Sequence, residues 1–71
     1  MSLNNSAKAN IIGVVKARFA AEEEYPRLGN AAAFEKMRIA QKNYSNLYYN
    51  CSNEEQTFLI NTFHEERKKC P

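Results

Sequence analysis

One short segment, Tyr25-Pro26-Arg27-Leu28-Gly29-Asn30, punctuates this chain, because it gathers one of only two prolines and one of only two glycines. Proline and glycine are the residues that most often end regular structure. With so few of either, and with Ala, Glu, Lys, Arg and Gln frequent, long helices are favoured over many short strands. The segment therefore predicts a first helix before it, over about Ser6 to Glu24. Asn4, Asn5 and Ser6 are all good N-cap types, and Pro26 disfavours helical geometry at Tyr25. Ile12, Val15 and Phe19 fall on one face of that helix, with Ile11 and Val14 beside them. Gly13 weakens it by roughly 1 kcal/mol relative to alanine, unless a close helix contact requires it.

Asn30 is placed to cap a second helix over about Ala31 to Asn50. There Ala33, Met37, Ala40, Tyr44 and Leu47 recur at alternating spacings of four and three, with Phe34 and Tyr48 widening the stripe. This is a heptad-like seam in which small residues allow close approach, although it is too short for a coiled coil. A third helix opens at Ser52-Asn53-Glu54-Glu55, a capping box in which the serine and the glutamate three positions on satisfy each other's backbone donors. Leu59, Ile60 and Phe63 form its apolar side, and Phe58 turns partly away. Acidic residues at its start and Arg67, Lys68 and Lys69 at its end suit the helix dipole. The short connection at Cys51 predicts that the second and third helices form an antiparallel hairpin or a sharp corner.

The expected fold is thus all-α, a three-helix arrangement with an antiparallel helical hairpin. It forms a single domain over residues 1–71, with residues 1–5 as a flexible start. A domain of 71 residues buries only about 60% of the surface its unfolded chain exposes. Association with another chain is a common remedy for so small a core, so self-association is expected. No apolar run approaches the roughly 18 residues of a membrane span. The polar start, Met1 to Asn10, does not read as a secretory signal, and the expected location is the cytoplasm.

Chemistry is thinly represented. Cys51 and Cys70 would be separated by roughly 28 Å of helix, whereas a disulfide needs Cα atoms within about 7 Å. Free thiols are expected, with a bridge between chains through Cys70 as the lesser option. That separation also argues against one metal shell holding both cysteines and His64, and no CxxC or HxxxH pair is present. One histidine and scattered hydroxyls do not suggest a nucleophile, base and orienting group. No cofactor and no enzymatic activity are expected.

Binding remains. Glu22, Glu23 and Glu24 sit near the end of the first helix, where they oppose its dipole and form an acidic patch suited to a basic partner surface. Arg18 lies one turn before Glu22 and can offset it. Ile39, Tyr49 and Phe58 fall off the main faces of their helices, and aromatics left at a surface are typical of protein interfaces. These six residues, Ile39, Tyr49, Phe58 and Glu22 to Glu24, are the expected partner-binding set. The expected function is a non-enzymatic helical interaction module or regulator, binding another protein or a second copy of itself.

The alternative is a nucleic-acid-binding regulator. The net charge of +2 is only mildly basic, but residues 29–50 carry Lys36, Arg38 and Lys42 against Glu35 alone. Arg38, Lys42 and Tyr49 share a face of the second helix opposite its apolar seam, a composition suited to phosphate contact and base stacking. Glu54 and Glu55 at the start of the third helix count against a groove-reading helix there.

Overall fold

The computed structural model describes residues 3–69, and these form three helices: α1 (Asn5–Leu28), α2 (Ala31–Asn50) and α3 (Asn53–Lys69). The all-α, three-helix expectation holds. Asn4 caps α1, its side-chain oxygen accepting from the Ala7 N–H at 2.7 Å. The Asn30 side chain does the same for α2 at Ala33, at 2.8 Å. The capping box of α3 is closed in both directions. The Ser52 N–H donates to Glu55 Oε1 at 3.0 Å, and the Glu55 N–H donates to Ser52 Oγ at 3.3 Å.

The first break is shorter than the proline suggests. α1 continues through Pro26 to Leu28, four residues beyond the expected end at Glu24. Pro26 forfeits one intrahelical bond and crowds the preceding turn. Packing on α2 offsets this loss, because the Tyr25 ring lies 5.3 Å from that of Phe34. The true stop is Gly29, whose φ of 62° places it in the left-handed region while its N–H donates to the Tyr25 carbonyl at 2.7 Å. Such a backbone is favourable mainly for glycine.

α1 is the hub of the arrangement, packing along both α2 and α3. Its partners on α2 run in reverse order, Glu24 to Lys36, Glu22 to Gln41 and Arg18 to Tyr44, so α1 and α2 are the antiparallel hairpin. α2 and α3 touch at their junction, where the Gln56 side-chain amide donates to the Tyr48 carbonyl at 2.7 Å, and again farther along, where the rings of Tyr44 and Phe63 lie 5.6 Å apart. Of the two expectations for the Cys51 connection, the corner describes it better.

The core is centred on Ile11, Val15 and Leu59, all fully buried, with Phe19, Tyr44, Leu47, Tyr48, Phe58 and Phe63 packed around them. Ile11 takes the inner position that sequence periodicity gave to Ile12, because Ile11 and Val15 are one turn apart on the face between α2 and α3. On α3 the roles of Phe58 and Ile60 are also exchanged. Phe58 packs on the core, whereas Ile60 is 39% exposed. The α2 seam is as expected, with Ala33 and Ala40 buried and Met37, Tyr44 and Leu47 half-buried.

Candidate functional site

The inner stripe of α1 reads Ile11, Val15, Arg18 and Glu22, at spacings of four, three and four residues. Its first half is apolar core and its second half is an ion pair. Placed between α2 and α3, Arg18 becomes the centre of an aromatic and polar cluster. Its guanidinium carbon sits 4.5 Å from the ring centroid of Tyr44 and 5.3 Å from that of Phe63, within cation–π range of both. Phe63 also packs against Phe19, the two tilted rings 4.9 Å apart.

Glu22 completes the cluster. Its Oε1 lies 3.4 Å from Arg18 Nε, and its Oε2 accepts from the Gln41 side-chain amide at 2.8 Å. The Arg18 Nε is buried and has no hydrogen-bond partner, so Glu22 offsets the charge without satisfying that donor. Buried donors are usually satisfied, which makes this one unusual. Arg18, Tyr44, Ser45, Tyr48 and Tyr49 line a surface depression of about 330 Å³. Burial raises the Tyr44 phenol above its ordinary value of 10.0, and the Arg18 charge only partly opposes this. Tyr44 therefore presents a neutral hydroxyl at pH 7.

Tyr49 stands at the rim of the depression. It is 78% exposed, and its ring meets Tyr48 edge-on at 5.2 Å. Arg38, Lys42, Ser45 and Tyr49 recur at spacings of four, three and four, and all four are exposed. They therefore form one stripe on the outer side of α2. Arg38 is loosely paired with Glu35, at 4.0 Å.

A second concavity lies on the opposite side of the α1–α2 pair. Ala9, Asn10, Gly13, Val14 and Ala17 of α1 face Ala40 and Asn43 of α2 around a groove of about 290 Å³. A Cβ built on Gly13 meets nothing within 4 Å, so no contact within the chain requires this glycine. Ile39, one turn before Asn43, is 52% exposed.

The expected partner-binding set is not one patch. Ile39 and Tyr49 are both exposed on α2, but ten residues of helix separate them by about 15 Å. Phe58 belongs to the core surround, with Lys8 Nζ 5.9 Å from its ring centroid, so its description as an off-face residue is corrected. The acidic run is also divided. Glu22 and Glu24 turn inward to Arg18, Gln41 and Lys36, with Lys36 Nζ 3.3 Å from Glu24 Oε2, while Glu23 faces outward. Because α1 extends to Leu28, the run lies before the last turn, where the dipole penalty has largely faded. By contrast, Arg38, Lys42 and Tyr49 do share a surface.

Sequence reading missed Arg18 and Ser45 as members of this site. The signal was present for Ser45, which falls between Lys42 and Tyr49 in helical register, whereas Arg18 continues the inner stripe only in the Ile11–Val15 register that packing sets.

Cys51 is a half-buried free thiol whose Sγ lies 3.6 Å from the Tyr48 carbonyl. Burial, followed by the charge of Glu55, raises its pKa and leaves it a poor nucleophile at neutral pH. Cys70 and the bridge considered for it lie outside the described residues. Among the described residues, no helix is long and apolar enough to cross a membrane. No protein-family model matches the chain, and no curated protein or solved structure is significantly similar to it.

Proposed function

We propose that this chain is a non-enzymatic helical interaction module that associates with a second copy of itself in the cytoplasm. The observation carrying this reading is the surface the fold leaves uncovered. The molecule exposes 5150 Å², whereas a compact monomer of its mass exposes about 4,500 Å². The difference, about 600 Å², is surface that a more compact arrangement of the same chain would cover. The dimensions agree: the radius of gyration is 12.9 Å, against about 11 Å for a compact chain of this length.

The face assigned to the second copy is the α1–α2 groove with Ile39 at its edge. Ala9, Gly13 and Ala17 lie one turn apart and let another helix approach closely, and Ile39 supplies an apolar contact beside them. Light scattering on a sizing column tests this across a concentration series, with reductant keeping the cysteines as thiols. The expected mass rises with concentration from 8.2 kDa toward twice that value. Ile39→Gln is expected to hold it at the monomer value with helicity unchanged. A mass that stays monomeric at every concentration overturns the proposal.

A further inference from the structure

The face of α2 opposite its seam remains, and it does not depend on the proposed dimer. We propose that the Arg38–Lys42–Ser45–Tyr49 stripe, together with the Arg18 depression beside it, binds single-stranded nucleic acid through backbone charge and base stacking. Proteins that bind single strands without sequence preference combine cations along the backbone path with aromatic rings that stack on successive bases. Both elements are present on one surface. Arg38 and Lys42 are exposed cations one turn apart, and Tyr49 is a ring 78% exposed at the rim.

The depression adds what a solvated helix face lacks. Arg18, Tyr44, Ser45, Tyr48 and Tyr49 surround about 330 Å³. The fork of Arg18 is held in place by the Tyr44 and Phe63 rings, so little ordering remains when it meets a phosphate or a base edge. The carboxylates nearby are Glu22 and Glu35, and three cations still exceed them by one. A duplex fits this surface poorly, because its bases are stacked internally and cannot cover Tyr49.

Anisotropy of a dye-labelled short polythymidine, titrated with the full chain, tests the assignment. Saturable binding is expected at low salt. With the two exposed cations Arg38 and Lys42 engaged, log K should fall against log salt with a slope of about −1.4. Tyr49→Ser should weaken binding by roughly tenfold or more. Lys42→Gln should flatten the slope by about 0.7. Both residues are exposed, so circular dichroism should show unchanged helicity. The monomeric Ile39→Gln variant, which adds no charge beside Arg38 and Lys42, should bind as the parent does, which separates this proposal from the dimer. No binding at low salt, unaltered affinity in both Tyr49→Ser and Lys42→Gln, or tighter binding to a matching duplex overturns it.

Discussion

Gly13 is a residue whose cost exceeds any structural need within the chain. It occupies the interior of α1, yet nothing lies within 4 Å of where its Cβ would be. Alanine there removes backbone freedom from the unfolded chain and adds no clash. Gly13→Ala should stabilise the monomer by up to about 1 kcal/mol, raising the thermal midpoint by roughly 4–8 °C. Thermal unfolding followed by circular dichroism at low protein concentration checks this. Arg18 shows the opposite relation between sequence and environment. Its long side chain is legible as a helix-surface residue pairing with Glu22, and that pair forms. The two rings around its guanidinium come from α2 and α3, and no local pattern in α1 announces them.

Among the elements, α3 depends most visibly on its first turn. Ser52 and Glu55 exchange hydrogen bonds across it, and the bonds from Ser52 hold the Glu55 carboxyl below its ordinary value of 4.5. A carboxylate with a depressed folded pKa stabilises above its unfolded pKa and loses that contribution as pH falls through its folded one. Acid should therefore loosen α3 below about pH 4.5, and Glu55→Gln should reduce this acid-dependent loss. Urea midpoints measured across acidic pH compare the two chains. Ser52→Ala should cost about 1 kcal/mol at neutral pH. The capping box, the Asn30 cap and the α2 seam were all legible because each is a local pattern over one to three turns. The end of α1 was not, because contacts with α2, a separate element, keep Pro26 inside a helix.

For the whole molecule, the decisive quantity is how little is fully enclosed. Ile11, Val15 and Leu59 are the largest fully buried side chains among the described residues, and Leu59 is the one that ties α3 to α1. Leu59→Ala should cost about 2–5 kcal/mol, a large part of the stability expected of a small domain. The expected outcome is loss of cooperative unfolding in urea near room temperature, followed by far-UV circular dichroism. The aromatic residues bear on the same question. Of the eight such side chains, Phe19, Tyr44, Tyr48, Phe58 and Phe63 gather around the three core residues. Tyr25 and Phe34 close the far end of the hairpin, and Tyr49 is left on the surface.

By itself the sequence determined the three helices, their caps and the buried face of α2, because these follow from propensity, capping chemistry and periodicity over a few turns. It also placed Arg38, Lys42 and Tyr49 on one surface, since residues on a single helix keep their angular relation whatever packs around them. Only the tertiary structure decided that α1 is the hub, that Ile11 and Phe58 face inward while Ile60 faces outward, and that Glu22 and Glu24 tie α1 to α2. The same holds for Arg18 beneath the tyrosines of α2. Each of these depends on the rotation and offset of one helix against another. Those are set by how side chains from distant parts of the chain interlock, which spacing along any single helix does not encode.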